Sequence, residues 1–256
     1  MASLQALLFD VDGTLADTER NGHRPAFNMA FQAAGLDWVW DEALYGELLA
    51  VTGGKERIRF YLEKFNTAFN KPSNFDSFVK GLHASKTQFY TQRMAEGKIP
   101  LRTGVERLIN EARSEGMRMA IVTTTTPENV TALLKSTLGA DSESWFEVIA
   151  AGDIVPAKKP APDIYLWALE KMNLTAADAI AFEDSLNGIK SSAAADLKTI
   201  ITVNDYTKND DFSQAQLVLD SMGESNKAFQ VLSGDSAGHT FLNLELVKKV
   251  HGLQYQ

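Results

Sequence analysis

Leu7-Leu8-Phe9-Asp10-Val11-Asp12-Gly13-Thr14 is the stretch that decides how the remaining chain is read. Ala6 to Phe9 is a short apolar run without polar alternation, the pattern of a strand buried on both faces of a parallel sheet. Asp10 and Asp12 follow with one residue between them, and so are expected at the strand's carboxyl end. Open α/β sheets place their ligands there. Two carboxylates that close repel unless a cation or a shared proton offsets them. Two hard oxygens with room for water suit Mg2+.

The composition excludes several function classes. The chain has 256 residues, 45% hydrophobic and 23% charged, which is ordinary for a globular protein large enough for one domain with a substantial insertion. A net charge of −8, with no Lys/Arg run, argues against nucleic acid as a partner. The absence of cysteine excludes disulfides, zinc-thiolate sites and thiol chemistry. No apolar run approaches the ~18 residues needed to cross a membrane, and no leader segment is visible. The expectation is a monomer in the cytoplasm, or in the plastid stroma had a transit peptide been removed.

Between residues 17 and 95 the apolar positions follow helical spacing and nothing reads as a strand. Helices are expected around Ala26–Ala33, after an N-cap at Asp41, from Lys55, and over Asp76–Ala95. From Ile99 the α/β alternation returns, with buried strands at Met119–Val122, Val148–Ala150 and Ala179–Phe182. Thr199–Val203 and Leu217–Leu219 read as the last two. The tail after Gly223 carries little pattern beyond a helix over Phe241–Val250. The fold class expected is α/β, a Rossmann-like doubly wound parallel sheet with a small all-helical cap inserted after the first strand. Residues 1–16 and 96–256 form the core and 17–95 the cap.

Asp-x-Asp-Gly-Thr after an apolar strand resembles the nucleophile motif of the haloacid dehalogenase superfamily, most of whose members are phosphatases. The resemblance implies that Asp10 attacks phosphorus and that Asp12 is the general acid and base. It also assigns the residues that complete the site. Thr123, at the end of the second strand, matches the hydroxyl that binds a phosphoryl oxygen. Lys159, in Lys-Pro-Ala-Pro-Asp, matches the cation that offsets phosphoryl charge, although Lys158 stands where relatives usually have Gly. Glu183 and Asp184 match the metal motif, so the implied Mg2+ site is Asp10, Asp12, Glu183 and Asp184. Asp196 stands in a turn where relatives usually carry Gly.

Within the superfamily the chain is most similar to the CbbY-like sugar-bisphosphate phosphatases, related to β-phosphoglucomutase. Asp17-Thr18-Glu19, His23, Trp38-Val39-Trp40, Thr52-Gly53-Gly54-Lys55-Glu56-Arg57, Lys86-Thr87, Ala151-Gly152-Asp153 and Glu183-Asp184-Ser185-Leu186-Asn187-Gly188 carry this likeness. It implies hydrolysis of xylulose 1,5-bisphosphate to xylulose 5-phosphate. A bisphosphate needs a second anion site, for which the cap offers Gly54, Lys55, Arg57 and Lys86, with Thr124 on the core side. Glu19, His23 and Tyr45 are candidates for the sugar hydroxyls. A phosphomutase would carry the same motifs and remains the alternative. A phosphorylated-ligand sensor on an inactive scaffold would lack Asp10, Asp12 or Lys159, and all are present.

Overall fold

The computed structural model describes residues 3–252. Among them, seven strands form one sheet: β1 (Ala6–Phe9), β2 (Arg118–Thr123), β3 (Val148–Ala151), β4 (Ala179–Glu183), β5 (Lys198–Thr202), β6 (Leu217–Leu219) and β7 (Val231–Gly234), in the order β3-β2-β1-β4-β5-β6-β7. All neighbours are parallel except β6 and β7. β1 is central, with Phe9 opposite Ile121 on one side and Phe182 on the other. From β1 the chain winds outward to β2 and β3, then crosses to β4 and winds the other way. The crevice at the carboxyl ends of β1 and β4 is therefore the switch point, where ligands bind in such sheets.

Helices cover both faces, which is why all four residues of β1 are fully buried. Leu7, Phe9, Ile121 and Phe182 pack against α5 (Val105–Ser114), α6 (Pro127–Thr137) and α9 (Leu244–Gly252). The opposite face is lined with small residues: Ala6, Ala120, Ala179 and Ala181. They let Ile164, Tyr165 and Ala168 of α7 (Asp163–Met172) approach closely. α8 (Leu186–Ala194) adds Ile189 against Ile201 of β5.

The cap follows β1 as four helices, α1 (Arg24–Ala33), α2 (Glu42–Leu48), α3 (Gly54–Lys64) and α4 (Phe75–Ala95). One π-helical turn, Glu19–His23, leads into α1. Asp41 caps α2, its carboxylate accepting from the Leu44 N–H at 2.8 Å. The cap has its own aromatic core: Trp40 lies 4.6 Å from Phe27, 4.8 Å from Phe31 and 5.4 Å from Tyr61, between ring centres. The Trp38-Val39-Trp40 segment is extended, so both indoles point inward while Val39 faces solvent. The Asn28 amide locks it, exchanging two hydrogen bonds with the Trp40 backbone at 2.8 and 2.9 Å. The segments leaving and re-entering the core touch through an isolated antiparallel bridge, Ala16 to Leu101.

Two expectations need correction. β6 is not the last strand: β7 adds an antiparallel edge whose four residues are all exposed, so no burial pattern marked it. The final helix begins at Leu244 rather than near Phe241, because Asn243 caps it through the Leu246 N–H at 2.9 Å. Asp196, where relatives usually have Gly, adopts φ 60°, the left-handed region that Asp tolerates better than most residues.

Trp40 is fully buried. Trp40→Ala is expected to destabilise the cap by about 3–5 kcal/mol. Guanidinium unfolding followed by near-ultraviolet circular dichroism checks this, and a change within about 1 kcal/mol would contradict the cap core described.

Candidate active site

β1 delivers Asp10 to the switch point, and β4 delivers Glu183 with Asp184 one strand away. One oxygen from each of these three buried carboxylates lies within 4.8 Å of the others. Lys159 reaches them from the loop before α7. Its ammonium donates to Asp10 Oδ1 at 2.8 Å, Glu183 Oε1 at 2.6 Å and the Val122 carbonyl at 2.8 Å. The peptide before Pro160 is cis. Tyr165 donates to the same Glu183 oxygen at 2.5 Å. Two glycines make the packing possible: a Cβ on Gly188 would fall 1.9 Å from Glu183 Oε2, and one on Gly13 would fall 2.1 Å from Asp184 Oδ2.

One lysine does not balance three carboxylates. Burial above all pushes the Asp10 pKa up, to about 8, and Glu183 and Asp12 add to this while Lys159 opposes it. Asp184 is also held well above the usual carboxylate range, first by burial and then by Asp10 and Glu183. Lys159 is held firmly charged, because Asp10 and Glu183 outweigh its burial. A buried, all-oxygen set with surplus negative charge fits a hard divalent cation. Asp10, Glu183 and Asp184 are the residues that would hold Mg2+.

The Asp12 carboxylate points elsewhere. Its Oδ1 accepts from the Thr18 hydroxyl at 2.5 Å and from His23 Nε2 at 2.8 Å. Lys86 lies 2.7 Å from His23 Nδ1, and an ammonium only donates, so the proton of a neutral His23 sits on Nε2 and is given to Asp12. Burial raises the Asp12 pKa, but His23 and Thr18 more than offset it and bring it down to about 2. Burial in turn lowers Lys86 to about 8.

Two adjacent cavities of about 470 and 480 Å3 lie between cap and core. Both are lined by Asp12, Glu19, Arg57 and Thr124. One contains Asp10, Thr123, Lys159, Glu183 and Asp184. The other contains His23, Gly54, Lys55, Lys86, His83 and Lys158, with Thr125 and Thr126 before α6. The cations there are already engaged. Arg57 donates to the Tyr45 hydroxyl at 2.8 Å and lies 3.5 Å from Glu19, to which Tyr45 donates. Tyr45 thus sits behind Glu19 and Arg57 and lines neither cavity, which places it out of direct reach of a sugar hydroxyl. Lys55 pairs with Asp153 at 2.5 Å, and Lys158 bridges Asp153 and Glu56 at 2.9 and 3.2 Å. Lys159, and not Lys158, therefore reaches Asp10. Gly54 lets the His83 ring pack directly on the start of α3, because a Cβ there would meet that ring at 2.6 Å. Thr18 stands inside the Asp17-Thr18-Glu19 signature but was given no role from sequence, and Tyr165 and His83 carry no motif signal and were missed.

A model of haloacid dehalogenase-like hydrolases matches residues 4–196. The chain belongs to the haloacid dehalogenase-like hydrolases. Protein CbbY of a Cupriavidus necator plasmid is 43% identical over 249 residues, 97% of each chain. Protein CbbY of Rhodobacter capsulatus is 49% identical over 212 residues, 83% of this chain and 91% of its own. The crystal structure of a CbbY variant from Rhodobacter sphaeroides in complex with xylulose-(1,5)bisphosphate superposes with TM-score 0.79 at 44% identity. That match covers 85% of this chain and 94% of the other. This chain and that CbbY structure therefore share one fold. Among the described residues no helix is long and apolar enough to cross a membrane.

The charge surplus has a consequence for stability. Without metal, Asp10 binds its proton more tightly in the folded hydrolase than in the unfolded chain, whose carboxyls titrate near the ordinary value. Stability is then lost as pH rises toward the folded value. His83, pushed down to about 3 chiefly by burial, works in the opposite sense but only below the ordinary histidine range. The metal-free protein should therefore lose stability between about pH 6.5 and 8, and Asp10→Asn should reduce that slope. Urea unfolding of both proteins in chelator checks this, and identical slopes would contradict the assignment.

Proposed function

We propose that this hydrolase is a Mg2+-dependent phosphatase of a sugar bisphosphate, converting xylulose 1,5-bisphosphate to xylulose 5-phosphate through an aspartyl phosphate. Residues 17–95 act as the cap over a core of residues 1–16 and 96–256. One observation carries the reading. The cavity of the carboxylate–lysine cluster lies next to a second, cation-bearing cavity, and Asp12, Glu19, Arg57 and Thr124 line both. Such a shape suits a substrate with an anion at each end. The CbbY variant bound to xylulose-(1,5)bisphosphate supports this choice of sugar.

Asp10 is the nucleophile. One carboxylate oxygen forms a bond to phosphorus as the bond from phosphorus to the sugar oxygen breaks. Water then attacks the same phosphorus and releases Asp10, splitting one displacement into two. Asp12 protonates the departing oxygen and later takes a proton from the water. Its acid form is disfavoured in the substrate-free site. A phosphate dianion arriving beside it raises its proton affinity by like-charge repulsion. Lys159 orients Asp10 and stabilises charge on the transferring group, and Thr123 offers a neutral donor to a phosphoryl oxygen. Mg2+ held by Asp10, Glu183 and Asp184 would offset the charge of nucleophile and phosphoryl group as they approach. Arg57 and Thr124 at the junction, with Lys55 and Lys86 beyond it, bind the far end of the substrate, and Glu19 and His23 face its middle.

Incubation with xylulose 1,5-bisphosphate and Mg2+ should release one inorganic phosphate and leave xylulose 5-phosphate. Formation of an isomerised bisphosphate or monophosphate without phosphate release would contradict hydrolysis. Asp10→Asn should show no multiple turnover while keeping its fold, and retained turnover would overturn the covalent route. Arg57→Ala should lower kcat/KM for the bisphosphate by about 10–100-fold, the worth of one charge-assisted contact. The same change should leave p-nitrophenyl phosphate within about threefold, and an equal fall for both substrates would remove Arg57 from the distal site.

A further inference from the structure

Arg102 belongs to none of the motifs, yet its guanidinium is engaged along its whole edge. It lies directly after Leu101, where the chain returns from the cap to the core, and its side chain is 9% exposed. One terminal nitrogen donates to the Gly13 carbonyl, to the Thr202 carbonyl at 2.9 Å and to the Thr202 hydroxyl at 3.2 Å. The other donates to the carbonyls of Val203 at 2.5 Å and Asp220 at 3.0 Å. Nε lies 3.4 Å from Asp17, on the outgoing linker. Four backbone carbonyls on three segments thus converge on one side chain.

The segments it ties together are those that set the Asp184 carboxylate. Asn204, next to Val203, donates its side-chain amide to Asp184 Oδ2 at 2.6 Å. The Asn204 side-chain oxygen Oδ1 in turn accepts from the Tyr206 N–H at 2.9 Å, which fixes the amide. Gly13, next to Asp12, packs on that same pair. A Cβ at Gly13 would fall 2.1 Å from Asp184 Oδ2 and 2.7 Å from Asn204 Nδ2. Arg102 therefore pulls the Asp12–Gly13 turn and the Val203–Asn204 loop toward each other, with Asp184 held between them. A rigid, planar fork is suited to this; a lysine would keep the charge but could not span the same acceptors.

We propose that Arg102, acting through Asn204 and Gly13, is a positioning residue that fixes Asp184 for the divalent cation. The proposal rests on the metal site described above. Outer groups that orient a metal ligand typically change affinity by about 10–100-fold when removed. Arg102 also sits where the two cap linkers meet, so the brace that orients the metal ligand is anchored at their junction.

The test uses the full chain and Mn2+ as the probe. Binding is followed by electron paramagnetic resonance of free Mn2+ in the absence of substrate. Wild type, Arg102→Lys, Asn204→Ala and the double variant are compared, with near-ultraviolet circular dichroism recorded on each. Each single variant is expected to bind Mn2+ about 10–100-fold more weakly. The double variant should bind no more weakly than the weaker single one, because both act along one path. Asn204→Ala removes one partly buried amide and leaves the carbonyl clamp in place, so it reads the path even if Arg102→Lys loses native structure. In turnover, the variants should need more Mg2+ while KM for the bisphosphate at saturating Mg2+ stays within about twofold, a split that a general loss of packing would not give. Unchanged Mn2+ affinity in Arg102→Lys or Asn204→Ala would overturn the positioning role alone. Absence of Mn2+ binding by the wild type would overturn the metal site and this proposal with it.

Discussion

The three hydrogen bonds of the Lys159 ammonium are the contact on which the site depends. Asp10, Glu183 and Asp184 converge in a buried crevice, and Lys159 is the cation that touches two of them. Its third acceptor, the Val122 carbonyl, ties the lysine to the strand that ends in Thr123. Strands β1, β2 and β4 are therefore linked at their carboxyl ends by a single side chain. The incomplete charge balance is what makes the crevice receptive. A fully neutralised cluster would have no electrostatic reason to take up a cation, whereas this one would be stabilised by it.

The sheet supplies the geometry for this at no extra cost. Because β1 and β4 are neighbours that lead the chain in opposite directions, their loops part and leave a crevice. The cap covers it from above through a second polar network: Asp12, His23 and Lys86 on one side, Glu19, Tyr45 and Arg57 on the other. Both chains of contacts run from the aromatic-cored cap to residues at the cavity. Lys55, Glu56, Asp153 and Lys158 tie the same two units together at the exposed rim. Buried contacts of the first kind are shielded from salt, whereas the rim pairs are screened and hold the cap more loosely.

The elements of the core were legible because their signals are local. Ala6–Phe9 and Ala179–Phe182 are unbroken apolar runs, and Asp41 announces its helix by type and position. Three of the motifs were legible because each stands at the end of such a run, and Lys159, in the loop beyond β3, was marked by the prolines that follow it. β7 was not, since an exposed edge strand of Val, Leu, Ser and Gly has no burial period to read. Arg102 and Asn204 were invisible for a different reason. Arg102 meets Thr202 across 100 residues and Asn204 meets Asp184 across 20, and each looks like any polar loop residue in the sequence. Tyr45 shows the converse. It reads as a substrate-facing phenol, but cap packing turns it behind Glu19 and Arg57.

The covalent use of Asp10 is the centre of the account, and acid-quenched peptide mass spectrometry tests it most directly. The enzyme is mixed with xylulose 1,5-bisphosphate and Mg2+, quenched within a turnover, and digested at low pH. The account predicts a phosphoryl group on the peptide that contains Asp10, absent when the enzyme is quenched without substrate. Phosphate released through full turnovers with no phosphoryl group on that peptide at any quench time, or with the group on another residue, would contradict it.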